Sequence, residues 1–571
     1  MFRYLRYVLA CTALVLLLGW PVHSLAHAQS PFEATAAQRP FISPFKEEPG
    51  LDTWLLAQAY GNTTSAYRQR AIAYGRSQGI HFGIDLSARC GAELVALADG
   101  VVFAVDNLRF GSAPHNLIID FPEAGYAALY GHLLEKPALE VGQEVKKGQV
   151  VALSGDPAET CYGRPHLHLE MRDLKTHARK YNPLSLIDLD WDTLSSIGAF
   201  GRGFEHDLDE PRKWQSLYDQ PEAVSGGPLL NDFANPWPPD VQALPQPPLL
   251  APPDGDPHPQ SSLRQLTEGG CCTQPSWAAD SGQVLFVDRP TPDAPIGIWG
   301  IDIAQPEAQP RLVYDQVDFY SADFSHRIIL GADLTSIERI ADGVKWTIPA
   351  GGRGVSLSPG YKHIAWQVAN SEELPVERRV TDIRVARFDG SQARSAIKLP
   401  RGGFGGWISD DAILVAGRDS LQAREEVLYA VSLSDGRQIE LARAERLRGA
   451  SVSPGGTWVV YYLVMQDDRT ANGLWLVRTD GSGRRQLSRE LFGSYRWRDD
   501  GRLLVVPFRP GAQSHELIEV DADSGAARPL TDPAILSFKI TNNDWAVSPN
   551  GRYVAFLNAA DHNIWLLTLM D

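Results

Sequence analysis

The sequence predicts a mainly β protein: a small antiparallel β domain near the N-terminus, followed by a six- to seven-bladed β-propeller. Three observations predict it. The 571 residues include 50 Gly and 40 Pro, a composition of many turns and few long helices. Short runs rich in apolar residues, such as Val101–Val105 and Asn116–Phe121, are set between glycine corners in the first third of the chain. After residue 261, a turn of Ser, Asp, Pro and Gly between two apolar runs recurs seven times.

Residues 1–28 read as a secretory signal peptide. Arg3 and Arg6 precede the apolar run Val8–Trp20, and Ala26-His27-Ala28 supplies a small-x-small cleavage pattern before Gln29. The expectation is a secreted protein, extracellular or in the cell envelope, with residues 29–60 as an N-terminal extension. Cys11 lies near the start of the apolar run, which is the wrong place for a lipid-modified cysteine, and no second segment of transmembrane length follows. Four cysteines then remain in a compartment where disulfides persist. Cys90 with Cys161 is the simplest pairing, whereas the adjacent Cys271 and Cys272 leave their connectivity open. No Cys-x-x-Cys pair suggests redox or zinc-ribbon chemistry.

Residues 61–190 continue the β pattern and hold the chemistry. His81-Phe-Gly-Ile-Asp85 comes first, Tyr130-Gly-His132 follows, and Pro165 introduces His166-Leu-His168-Leu-Glu170. A catalytic zinc site needs three protein ligands and one open position, and His81, Asp85 and His168 supply two nitrogens and one oxygen. If the run from His166 is a strand, both of its imidazoles project from one face, so one can bind metal while the other works on substrate. Glu170 and Arg172 read as structural or rim residues, and Asn116 as a turn former.

A connector spans residues 191–260, with 12 prolines between Asp219 and Gln260 that favour extended polyproline conformation. Residues 261–571 are the array. Anchored at Ala279, Asp323, Ser358, Ser409, Ser453, Arg498 and Ser548, its units are 44, 35, 51, 44, 45 and 50 residues apart, the period of a four-stranded propeller blade. The units at Asp323 and Ser409 depart from the turn pattern, so six blades compete with seven. A strand before the first full unit is expected to complete the last blade and close the ring.

The ordered motifs of residues 81–172 resemble the lysostaphin/LytM-type zinc metallopeptidases, and the repeats resemble the TolB-type propeller. The first resemblance implies a LytM-type barrel or sandwich binding one Zn2+ through His81, Asp85 and His168, with His132 and His166 as the catalytic pair. It implies a zinc metalloendopeptidase acting on peptide cross-links of bacterial peptidoglycan or on glycine-rich peptides. The propeller is then expected to bind a protein or glycan partner. The alternative is a non-catalytic cell-envelope scaffold.

Charge limits the partners further. The net charge of -16, without a basic stripe, argues against nucleic acid. Residues 45–190 carry 14 Lys or Arg against 18 Asp or Glu, so the catalytic domain by itself has no basic balance to attract anionic polymers. Gly75-Arg-Ser77-Gln-Gly79 matches a serine-nucleophile pattern, but no helix is expected after it, and it reads as a loop.

Overall fold

The computed structural model describes residues 39–157, 161, 163–197, 216–232, 241–242 and 261–570, apart from 271, 292, 306, 317, 372–373 and 375–377. The expected signal peptide and most of the Pro-rich connector lie outside the described residues. No helix among the described residues is long and apolar enough to cross a membrane.

The N-terminal domain is a twisted antiparallel sheet. Its strands are β1 (Trp54–Gln58), β2 (Ile84–Ala88), β3 (Glu93–Val95), β4 (Gly100–Val105), β5 (Leu117–Phe121), β6 (Tyr126–Gly131), β7 (Glu144–Val145), β8 (Val150–Leu153), β9 (His166–Asp173), β10 (Arg179–Tyr181) and β11 (Ala223–Val224). The order is β1-β2-β9-β6-β5-β4-β7, with β10 joining β9 to β11 and β3 pairing with β8 in a separate ribbon. Strand alternation decides what each face does. On β9, Leu167, Leu169 and Met171 are fully buried in the apolar core, as are Ile84, Leu86 and Ala88 on β2. The intervening residues Asp85, Ser87, His166, His168 and Glu170 therefore share the opposite face, where the chemistry is.

The fold draws in residues from both sides of the 61–190 segment. Phe41, Phe45 and Trp54 are buried in the same core, and β1 pairs with β2. Leu217 and Ala223 join it from the connector. A short helix, Trp191–Ser195, then leads toward the propeller; its Asp190 cap accepts from the backbone of Gly511 at 2.8 Å and pairs with Lys539 at 3.0 Å.

Seven sheets form the propeller, so the ring has seven blades. Ser262–Gln265 pairs with Ile564–Thr568 and completes the last blade, as the sequence led us to expect. The recurring turn is held from outside its own blade. Asp410 accepts from Ser358 Oγ at 2.8 Å and Gly360 N at 2.7 Å, and Asp500 accepts from Ser453 Oγ at 2.5 Å and Thr457 Oγ1 at 2.6 Å. The unit at Ser409 departs from the turn pattern yet keeps the acid that clamps its neighbour. Tryptophans bridge blades too: Trp277 Nε1 donates to Ala546 O at 3.1 Å and Trp545 Nε1 to Ser494 Oγ at 2.9 Å.

The peptidase-like domain is fixed to the propeller. Asp52 pairs with Arg489 at 2.6 Å, Asp192 accepts from Thr541 at 2.6 Å, and Met465 N donates to Leu51 O at 2.8 Å. Leu55 and Ile197 are buried in a cluster made largely of propeller residues.

The blade clamp is testable. Ser453 is fully buried, so Asp500→Ala leaves its hydroxyl and the turn amide of Gly455 without their acceptor. The expected loss is about 1–3 kcal/mol, read as a lowered propeller transition in chemical denaturation. An unchanged transition would show that the clamp is not what joins these blades.

Candidate active site

Register brings the site together. On the paired strands β2 and β9, Asp85 lies directly opposite His168 and Ser87 opposite His166. A slip of β9 by one residue would send His166 and His168 into the apolar core and leave Asp85 and Ser87 without them. His81 arrives from the loop before β2, where its backbone exchanges hydrogen bonds with Gly61 at 2.7 and 2.8 Å. His132 follows β6, and its own φ of 56° is left-handed, an unusual conformation for a residue with a side chain.

Three donor atoms converge. His81 Nε2, Asp85 Oδ1 and His168 Nδ1 are separated by 3.3 Å (His81 to Asp85), 2.8 Å (Asp85 to His168) and 3.4 Å (His81 to His168). A tetrahedral ion bound at ~2.0–2.1 Å holds its ligands about 3.4 Å apart, so the triangle has the dimensions of one face of such a site. Gly83 makes the approach possible: a Cβ there would stand 2.7 Å from both His168 Cε1 and Leu169 O.

The second nitrogen of each imidazole is held in place. His81 Nδ1 lies 2.8 Å from Ala59 O, which can only accept; Nδ1 therefore carries the proton and Nε2 offers its lone pair inward. His168 is reversed. Its Nε2 lies 3.3 Å from Glu170 Oε1, and Nδ1 faces the centre. Glu170 is fully buried and is itself paired with Arg172 at 2.7 Å. Outer partners of this kind fix the orientation of metal-binding imidazoles.

His132 and His166 complete the site. His132 Nδ1 bonds to Ala113 O and His166 Nδ1 to Arg164 O at 2.7 Å, so each presents an unprotonated Nε2. Their ring centroids are 4.9 Å apart, and His132 stands 5.7 Å from His168. Burial, and then the neighbouring histidines, push His132 down to about 3; burial also lowers His166, against the opposing charge of Asp85. Both are neutral bases at ordinary pH. Burial works against the Asp85 carboxylate, but the facing imidazoles hold its pKa well below the usual range. Burial opposes the His168 imidazolium, yet Asp85 and Glu170 together raise it to about 9.

All five residues singled out in the sequence thus meet in one place. Sequence reading missed the positioning work of Glu170, although the same two-residue period that related His166 to His168 extends to it. It also missed Tyr74, whose ring meets His81 edge-on at 5.8 Å and whose hydroxyl is pushed up to about 12 by burial and then by Asp85. Asn116 is buried and donates to Asn107 O and Gly111 O, bracing the loop after β4. Ser77 lies in a single helical turn ended by Gln78 in left-handed conformation, a loop as expected.

A disulfide joins Cys90, just after β2, to Cys161, before β9, and so ties together the two strands that carry Asp85 and His168. Cys272 is buried and disulfide-bonded as well, while Cys271 lies outside the described residues.

Residues 79–183 match Peptidase family M23. An uncharacterized metalloprotease of Haemophilus influenzae is 35% identical over 106 residues, which is 19% of this chain and 21% of that protein, so the chain spans about a fifth of that relative's length. The catalytic domain of the antimicrobial peptidase lysostaphin from Staphylococcus simulans is similar over 23% of this chain and 90% of its own, with 20% identity and a TM-score of 0.19. A protein assigned as TolB from Agrobacterium tumefaciens is similar over 55% of this chain and 99% of its own, with 15% identity and a TM-score of 0.28.

The outer carboxylate gives a direct test. Glu170→Gln retains the shape but weakens the hold on His168, and the expected loss of metal affinity is roughly 10–100-fold, measured by competition with a chelating dye. Undiminished affinity would refute the positioning role. Residues 79–183 of this chain are thus a Peptidase family M23 domain, joined here to a seven-bladed β-propeller.

Proposed function

We propose that the chain is an exported zinc metalloendopeptidase that hydrolyses peptide cross-links of bacterial peptidoglycan or glycine-rich peptides. The observation that supports it most is the inward-facing triangle of His81, Asp85 and His168 beside two neutral imidazoles whose Nε2 atoms are free to take a proton. The triangle fits a divalent ion of zinc's size and ligand preference, with its two nitrogens already oriented by Ala59 O and Glu170 and the Asp85 oxygen beside them. Zinc, when bound there, supplies a Lewis acid that lowers the pKa of water and polarises a carbonyl.

The chain's own residues handle the protons. A neutral imidazole with its Nδ1–H spent on a backbone carbonyl can only accept at Nε2, so His132 and His166 begin the reaction as bases. As the water oxygen bonds to the scissile carbon, its proton passes to one of these Nε2 atoms. When the carbon–nitrogen bond breaks, the same imidazolium returns that proton to the leaving amine. His166 is the better acceptor, because its Nε2 stands 3.9 Å from Asp85 Oδ1, whose charge favours the protonated ring. His132 packs against both His166 and His168 and bounds the pocket in which the carbonyl must lie.

Peptidoglycan as substrate rests on the family resemblance, and export on the pattern of residues 1–28. The two-domain form suits a peptidase whose propeller contributes binding surface.

Purified residues 29–571 loaded with zinc are expected to release new amino groups from peptidoglycan or pentaglycine, in a reaction stopped by chelator and restored by zinc. His132→Ala and His166→Ala are each expected to retain zinc and lose about 10²–10⁴-fold in rate. Full cleavage by either variant would sink the paired-histidine mechanism, and zinc binding without cleavage of any peptide would favour the scaffold reading. The depressed pKa values also set the pH profile: protonation inactivates a base, and a lowered pKa moves that loss to lower pH. With zinc kept saturating, the acid limb of kcat/KM is therefore expected below the ordinary imidazole value of about 6.5; a limb above it would contradict the buried, neutral bases.

A further inference from the structure

One guanidinium touches both halves of the candidate site. Arg172 ends the row that β9 presents on its polar face, after His166, His168 and Glu170. It is 3% exposed, and its N–H donors lie fixed in one plane. Nε and Nη2 reach the same oxygen of Glu170, Oε2, at 2.8 and 2.7 Å. That leaves Oε1 for His168 Nε2. Nη2 also donates to Phe110 O at 2.8 Å, on the loop between β4 and β5.

The second contact matters because of what that loop carries. Phe110 closes the single helical turn Leu108–Phe110, and the chain then runs through Ser112 and Ala113 against His132. Ser112 O accepts from His132 N at 3.2 Å, and Ala113 O from His132 Nδ1. Gly131 permits so close an approach, since a Cβ there would stand 2.3 Å from Ser112 Cβ. The direction of the His132 imidazole is thus set by a carbonyl three residues beyond the one that Arg172 holds. Asn116 braces the chain between them by donating to Asn107 O and Gly111 O.

A path of hydrogen bonds therefore runs from the metal-binding imidazole to the proton-carrying one through a single side chain. We propose that Arg172 is a positioning residue that fixes the separation of His168 and His132. It grips Glu170 with Nε and one hydrogen of Nη2, and the Phe110 carbonyl with the other hydrogen. The two histidine rings stand 5.7 Å apart, and a displacement of ~1 Å between reacting groups can cost ~100-fold in rate. Lysine would supply the charge but not both contacts, because an ammonium is a compact charge without the planar fork that spans the two acceptors. The assignment rests on the peptidase reading for its effect on rate, whereas the hold on the loop does not depend on that reading.

The test uses residues 29–571 with zinc bound and with isotope-labelled histidine. The Nδ1–H of His132, held by Ala113 O, gives a proton resonance that is assigned by its loss in His132→Ala. Arg172→Lys is expected to bind zinc with little loss, in competition with a chelating dye, yet to lose that resonance to exchange with water. Its kcat is expected to fall roughly 10–100-fold with KM little changed. A role confined to stability would instead lower the urea transition and leave both the resonance and the kcat of the folded protein as they were. The double variant Glu170→Gln with Arg172→Gln removes both members of the buried ion pair together and so guards against a lysine variant that does not fold. It is expected to bind zinc as Glu170→Gln alone does, because Arg172 reaches the metal side only through Glu170, but to lose the resonance that Glu170→Gln alone keeps. A resonance that survives in Arg172→Lys or in the double variant overturns the proposal. Its loss in Glu170→Gln alone also overturns it, by routing the hold on the loop through Glu170. If the unsubstituted chain cuts no peptide, the peptidase reading falls, while the resonance and the zinc affinity still decide the role of Arg172.

Discussion

Lone pairs on three neighbouring atoms repel one another, and the end of β2 and β9 forces three of them to face inward at hydrogen-bond distance. Only a proton or a cation can sit among them without penalty. Everything around the triangle resists its opening. The β2–β9 register sets Asp85 against His168, Gly83 leaves room for the His168 ring, and Ala59 O and Glu170 prevent the imidazoles from turning away. Asp85 and Glu170 raise His168 to about 9, so a cation entering the triangle would compete with a proton there, and its binding would depend on pH. His132 and His166 are kept neutral chiefly by burial, with their outer Nδ1 atoms spent on backbone carbonyls.

The propeller's blades are joined by the same kind of reciprocal contact as the site. At two of the seven junctions an aspartate from one unit closes the turn of the unit before it, so there the repeat seen in the sequence is the trace of contacts between blades as much as of structure within them. That explains why a weakly matching unit still makes a full blade: the acid at Asp410 acts on Ser358 and Gly360 whatever its own turn looks like. The contacts from Asp52, Asp190 and Asp192 join the propeller to the peptidase domain.

Much of the site was legible because strand periodicity is local information. His166 and His168 share a face by virtue of their spacing, and the ordered motifs placed Asp85, His81 and His132 with them. The repeat spacings were sufficient for a ring of six or seven blades, and the sheets resolve the number to seven. What stayed hidden depends on contacts that spacing does not encode. Phe41 and Trp54 look like part of an extension but bury themselves in the core, because the peptidase sheet needs an edge strand beyond β2. The docking of the two domains is less readable still, since Ala88 and Arg446, bonded at 2.9 Å, are 358 residues apart in sequence.

Ring closure carries a consequence for the order in which the protein comes into being. The last blade needs Ile564–Thr568 to pair with Ser262–Gln265, so the ring cannot shut until that final strand has been synthesised, whereas the N-terminal sheet, ending at Ala223–Val224, is complete about 340 residues sooner. A growing chain therefore presents the side chains of the candidate site well before the closed propeller beside them exists. During that interval, any discrimination supplied by the propeller is missing.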